Sequence, residues 1–188
     1  VSTTREKVAA LMPLAERMNR SHCWIKTAEG PRRINEPFTE FMLAEHVAGR
    51  KAYGLCPIAP GESTCRVALL DFDAHQGETE WGVMLDTART VAFALEQEGY
   101  TPILFRSSGG SGVHLYLLWD EPQDAYSVRQ MLVGMLAALG FKSGTGGVAN
   151  KQIEVFPKQD EVPADGFGSM WILPGAGKSE LLGEEKEC

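Results

Sequence analysis

The hydrophobic positions along this chain change their grain near residue 65. Before that point, apolar residues recur three and four apart from Thr4 to Met18 and again from Pro37 to Ala48, which predicts two helices. Short extended pieces are expected at Cys23 to Lys26 and at Tyr53 to Ile58. From Arg66 the pattern becomes regular. It predicts a strand (Arg66 to Asp71), a helix closed by Gly99 (Glu80 to Glu98) and a strand (Thr101 to Arg106). A glycine-serine loop, Ser107 to Gly112, leads into a strand (Val113 to Trp119) and a helix closed by Gly140 (Asp124 to Leu139). A glycine-rich loop and a strand (Gln152 to Phe156) follow, then a last short strand at Ser169 to Leu173. The tail from Glu180 to Cys188 is charged and reads as frayed, as in a piece of a longer protein.

The regular part has the order β-α-β-β-α-β, the ferredoxin-like or RNA-recognition (RRM-like) order, so the fold class is α+β. The chain divides into an N-terminal α/β lobe (1–65), an RRM-like lobe (66–178) and the tail (179–188). In this topology the first strand of the unit lies between its third and fourth. Alternation puts Asp71 and Asp73 on one side of the first strand, with Leu70 and Phe72 on the other. His114 and Tyr116 share a side of the third strand, and Glu154 opposes Ile153 and Val155 on the fourth. Three carboxylates at the end of a half-buried sheet repel one another at a cost of several kcal/mol, so something positive is expected among them. Oxygen ligands suit a hard divalent cation, and Mg²⁺ or Mn²⁺ held by Asp71, Asp73 and Glu154 as a pair of ions answers that need.

Composition narrows the partners. With 188 residues and 44% hydrophobic content, the chain can bury a core without disulfides. No run of about 18 apolar residues is present, so no membrane partner and a cytoplasmic location are expected. A net charge of -7 argues against coating nucleic acid by bulk electrostatics, although a local basic patch still fits. Arg32, Arg33, Arg50, Lys51, Lys142, Lys151 and Lys158 are the thin supply for one. Cys23, Cys56, Cys65 and Cys188 are scattered without a Cys-x-x-Cys pair. Buried thiols are the plain reading and zinc is not expected; the alternative is a site from Cys56, Cys65 and His46 or His22.

The loop Ser107-Ser108-Gly109-Gly110-Ser111-Gly112 precedes His114, and its glycines let backbone N–H groups turn toward an anion while serines add hydroxyl donors. It reads as a triphosphate cradle with His114 at its far edge; a plain hairpin loop is the bland alternative. Gly177-Lys178-Ser179 looks like the end of a Walker A loop, but the required earlier glycine falls at Ile172, which leaves Lys178 only as a phosphate contact. His75 falls past the strand, in a polar loop, and reads as solvated. Tyr116 is a candidate for a gate that tells ribose from deoxyribose.

Three segments stand in order along the chain: Leu70-Asp71-Phe72-Asp73, Ser108-Gly109-Gly110-Ser111-Gly112-Val113-His114-Leu115-Tyr116 and Ile153-Glu154-Val155-Phe156-Pro157. Together they resemble the motifs of the archaeo-eukaryotic primases: an Asp-x-Asp, a Ser/Gly segment ending in His, and a third acid after a hydrophobic residue. Phe156-Pro157-Lys158-Gln159-Asp160, Gly166-Phe167-Gly168 and Ile172-Leu173-Pro174 look like the conflict-system, CRISPR-associated and phage primase-polymerase subgroup. The resemblance covers roughly residues 41–178. It implies a two-lobed domain with nucleotide and template in the cleft between lobes, and DNA primase or DNA polymerase activity. By carry-over Asp71, Asp73 and Glu154 are the metal ligands and catalytic residues, and Ser108, Gly112 and His114 hold the nucleoside triphosphate. Lys158 and Arg106 are further candidates for phosphate or template. The implied partners are single-stranded or primed DNA, nucleoside triphosphates, and replication or conflict-system domains outside this chain. Two departures stand out: Glu154 where many relatives have Asp, and Ser111 where ligase-associated repair polymerases have Lys.

Two rivals share the topology. A non-catalytic RRM-like module would bind single strands on aromatic residues at the sheet centre, where this chain carries Asp71 and His114. A replication initiator nuclease would use a tyrosine nucleophile and paired histidines, and the chain has no His-x-His.

Overall fold

The computed structural model describes residues 2–74 and 78–183, so the expectations for His75, for Cys188 and for the last five residues of the tail lie outside the described residues. The first helix, α1 (Thr4–Glu16), opens on a capping box. The Glu6 N–H donates to the Thr3 hydroxyl and the Thr3 N–H donates to the Glu6 carboxylate, so two orphan donors of the first turn are satisfied. After β1 (Cys23–Thr27) and β2 (Gly30–Ile34), helix α2 (Glu40–Val47) starts three residues later than its hydrophobic pattern suggests, because Thr39 supplies the cap through the Met42 N–H. The short β3 (Tyr53–Leu55) completes this half.

The second half runs β4 (Thr64–Phe72), α3 (Trp81–Gln97), β5 (Ile103–Arg106), β6 (Val113–Asp124), α4 (Ala125–Ala138), β7 (Lys142–Ser143), β8 (Gln152–Phe156) and β9 (Trp171–Ile172). Five of these strands form one sheet in the order β5-β6-β4-β8-β7, with β4 between β6 and β8 as the topology requires. Its pairings are antiparallel except β7 on β8. The other sheet has the order β2-β1-β3-β9. A boundary at residue 65 is therefore too simple. The chain crosses back, and β9, which sequence position assigns to the RRM-like lobe, pairs antiparallel with β3 of the N-terminal lobe. The start of the tail also needs correcting. It is not frayed through residue 182, since Leu181 bridges Phe105 and the Leu182 N–H donates to the Leu104 carbonyl at 2.9 Å along the outer edge of β5.

Two apolar cores share the five-stranded sheet. On one face Ala68, Leu70 and Phe72 of β4, Val113, Leu115 and Leu117 of β6, and Ile153 and Val155 of β8 pack against α3 and α4. On the other face Val67, Leu69, Tyr116 and Phe156 pack against the N-terminal lobe, among them Val8 and Leu14 of α1 and Leu43 of α2. From Val67 to Leu70, β4 is thus apolar on both faces, and the second core stops at Asp71.

His46 ties the crossing chain in place. It is fully buried; its Nδ1 accepts the Tyr53 N–H at 2.8 Å, and its Nε2 donates to the carbonyls of Leu173 and Pro174, each at 3.1 Å. One ring joins α2, β3 and the end of β9, and it does so only as neutral imidazole, because Nδ1 must accept. Burial, partly opposed by the two carbonyls, holds its pKa below the ordinary 6.5. Burial acts on His22 in the same direction. A depressed native pKa means that the stabilisation is complete above the ordinary value and is lost as pH falls from there toward the native one. Urea denaturation midpoints are therefore expected to fall as the pH is lowered from 8 to 5.5. In His46→Asn the loss should shrink while overall stability drops; an unchanged slope in that variant would remove His46 as its source.

Candidate active site

The register of the central strands builds the site. Asp71 of β4 is paired with His114 of β6 on one side and with Glu154 of β8 on the other, so three polar side chains form a row across the sheet. Direct cross-strand neighbours have Cβ atoms about 4.5–5.5 Å apart, close enough for their heads to meet. Asp73 stands just past the strand, where its carbonyl accepts the Val148 N–H at 3.0 Å and its side chain is buried. Carboxylate oxygens of Asp71, Asp73 and Glu154 all lie within 4.8 Å of one another.

Three such charges need compensation. His114, itself buried, places Nε2 3.4 Å from an Asp71 oxygen, and the Lys158 ammonium pairs with Glu154. The donor set fits a hard divalent cation: three oxygen ligands, no thiol and no imidazole within the cluster. Among the described residues this is the one group of three or more metal-competent side chains. The alternative set of Cys56, Cys65 and a histidine is not gathered. His46 is committed to backbone partners, and burial pushes Cys56 up to about 11 and Cys65 up to about 12, which keeps both as thiols.

The glycine-serine loop closes on itself beside this row. The Ser107 N–H donates to the Gly112 carbonyl at 2.8 Å, and the Gly112 N–H donates back to the Ser107 hydroxyl at 3.1 Å. Glycine is needed at 112 by close approach, because a Cβ there would sit 2.5 Å from the Phe72 carbonyl oxygen. The loop is thereby held against the strand end that carries the aspartates. From behind, the Lys178 N–H donates to the Ser108 carbonyl at 3.0 Å and the Lys178 side chain lies across Gly110. Among the described residues no helix follows Lys178, so the resemblance to a Walker A end has no structural counterpart there.

These parts face one cleft of about 610 Å³. Of the residues expected from sequence, it brings together Asp71, Asp73, Glu154, Ser108, Ser111, Gly112, His114 and Lys158. Arg106 is placed elsewhere. Its guanidinium donates to the Gly110 carbonyl and to Glu180 and lies 4.1 Å from the centre of the Trp81 ring, so it braces the loop from outside the cleft. Tyr116 is also unavailable as a gate at the cleft, because it is buried between Phe105 and Trp171.

The wall opposite the acids was not anticipated. Trp24 and Lys26 of β1, Pro31 of β2, and Met170, Trp171 and Ile172 at β9 line it. The β1–β2 register pairs Trp24 with Arg33 and Lys26 with Pro31, so these four share a face, and Arg33 stacks on Phe167 with its guanidinium 3.3 Å from the ring centre. The alternation of Trp24 and Lys26 was a usable signal. Its partner strand was hidden, because Gly30-Pro31-Arg32-Arg33 reads as a turn and a solvated pair.

Three comparisons bear on this cleft. A family model described as the archaeo-eukaryotic primase domain of the TOTE conflict system matches residues 5–183. A comparison with curated protein sequences finds no match. Among solved structures, the polymerase domain of ligase D from Mycobacterium tuberculosis, in complex with DNA, is similar in fold. Its TM-score is 0.55 at 16% sequence identity, over 92% of this chain and 75% of that one.

The close approach at Gly112 makes a sharp expectation. Gly112→Ala should cost about 1–3 kcal/mol by forcing the loop off β4, whereas Gly109→Ala, whose added methyl meets nothing within 4 Å, should be nearly silent. Chemical denaturation of the two variants checks this, and equal stabilities would show that the loop is not pressed against the strand.

Proposed function

The chain belongs to the TOTE conflict-system family of archaeo-eukaryotic primase domains, and from that membership and the acidic cleft we propose that it performs template-directed nucleotidyl transfer as a DNA primase, a DNA polymerase or both. The observation that carries this reading is the row His114–Asp71–Glu154, joined by Asp73 and set beside the glycine-serine loop. Adding a nucleotide forms one bond between a 3′-oxygen and the α-phosphorus and breaks the bond from that phosphorus to pyrophosphate. Negative charge gathers on the phosphate oxygens as this happens, and a cleft lined by carboxylates alone would oppose it.

Asp71, Asp73 and Glu154 would hold two Mg²⁺ or Mn²⁺ ions. Bound there, such ions supply Lewis acidity to the phosphates and favour the deprotonated 3′-hydroxyl. The chain's own groups do the rest. His114 Nε2 stands 3.4 Å from an Asp71 oxygen and lines the same cleft as the glycine-serine loop, where a protonated Nε2 would donate to a phosphate oxygen. Backbone N–H groups and the hydroxyls of Ser108 and Ser111 offer donors to a triphosphate. At the other end, Trp24, Met170 and Ile172 present apolar surface suited to a base, with Lys26 beside them for backbone phosphate. Lys26 on this wall and Lys158 beside the acids are the local positive charge with which a chain of net charge -7 would hold a short template.

The test uses primed and unprimed DNA templates, labelled nucleoside triphosphates and Mg²⁺ or Mn²⁺. Wild type should incorporate label, and Asp71→Ala with Asp73→Ala should lower the rate at least about a hundredfold. Equal rates would sink the reading, and metal-independent strand binding that survives Asp71→Ala would point to a binding module instead. Template affinity should fall steeply with salt, and Lys26→Ala should reduce the slope of log affinity against log salt by about one. An unchanged slope would move the template away from this wall.

A further inference from the structure

Lys158 follows β8 by two residues and lines the cleft, with its ammonium on Glu154 and 4.9 Å from the centre of the Phe156 ring. Glu154 is thus claimed twice. One of its oxygens belongs to the cluster whose three carboxylates lie within 4.8 Å, and its carboxylate also carries the ion pair. A divalent cation and an ammonium compete for that carboxylate, and the denser charge takes it.

The main chain under Lys158 is fixed. Its carbonyl accepts Arg129 Nη1 at 3.2 Å, and Arg129 also pairs with Asp160. The next residue, Gln159, is held by Ser169 through two hydrogen bonds, at 2.7 Å and 3.2 Å. With the chain held at the Lys158 carbonyl and by the Gln159 side chain, movement falls chiefly to the four-carbon stem. A lysine head is a compact point charge with three rotatable donors, which can exchange one anion for another without a fixed fork geometry.

We propose that Lys158 serves the cleft twice: it is the counter-ion of Glu154 while no divalent ion is bound, and it becomes a ligand of the triphosphate once one is. The inference rests on the reading of the cleft given above. With a dication held by the three acids, the Lys158 ammonium would lose Glu154 as its partner, and a triphosphate in the same cleft would offer it oxygens that lysine binds as a point charge.

The two roles have opposite signs in one variant. K158M removes the competitor for Glu154 and the partner for phosphate together. Binding of Mn²⁺ without nucleotide, read from the electron paramagnetic resonance of the free ion, should tighten roughly three- to tenfold. Binding of a non-hydrolysable nucleoside triphosphate with Mn²⁺, read by calorimetry, should weaken roughly tenfold or more, while a nucleoside monophosphate is little affected. K158R, which restores the charge, should return both affinities toward wild type, and K158Q supplies a second uncharged side chain should K158M fail to fold. Metal affinity that stays level or falls in the uncharged variants overturns the proposal, as does an unchanged triphosphate affinity. A wild type that binds both ligands with K158M indistinguishable from it removes only the role of Lys158. A wild type that binds no Mn²⁺ removes the metal reading of the cleft as well.

Discussion

The repulsion among three carboxylates at one end of a sheet is the constraint around which this domain is arranged. Nothing local to Asp71, Asp73 or Glu154 favours their meeting. They are brought within 4.8 Å by strand register, and that register is held by two apolar cores pressing on opposite faces of the same sheet. A shift of one residue in β4 would turn Asp71 into the core beneath α3 and α4 and expose Leu70 and Phe72, which burial forbids. The strand is anchored by apolar residues on both sides, and the charge sits where the second core gives out.

Compensation is distributed over different elements. His114 comes from β6 and Lys158 from the segment after β8, so each neighbouring strand contributes a partner to the acids. The loop that faces them is shaped from three directions: by Gly112 against β4, by Lys178 behind Ser108, and by Arg106 on Gly110. Such overdetermination fixes the loop's donors in place, which the proposed transfer would need for charge that develops on phosphate oxygens. The N-terminal lobe, fastened through His46 to the end of β9, closes the cleft from the opposite side.

Much of this was legible in the sequence. The alternation Leu70-Asp71-Phe72, the pair His114 and Tyr116, and Glu154 between Ile153 and Val155 all sit on the faces that period two assigns them, while Asp73 stands just past the strand. Half-buried strands advertise their faces because burial selects the residue at every second position. The pairings of the N-terminal lobe were not legible. β2 carries Pro31 at an edge, β7 and β9 have two residues each, and strands so short are specified by what they meet, not by any pattern of their own. Arg106 was misplaced for the same reason, since its partners Gly110, Glu180 and Trp81 come together only in three dimensions. Tyr116 kept its predicted face, but the N-terminal lobe covers that position, which alternation within one strand cannot reveal.

The segment Glu180–Leu182, laid along the outside of β5, has a consequence for how copies of this domain behave in company. A bare outer strand offers its unpaired N–H and C=O groups to any passing extended chain, and it is a starting point for intermolecular sheet growth. Here the Arg106 N–H is already given to the Glu180 carbonyl and the Leu104 carbonyl already receives the Leu182 N–H. This short stretch works as a stopper, and it keeps the five-stranded sheet from recruiting a neighbour on the β5 side.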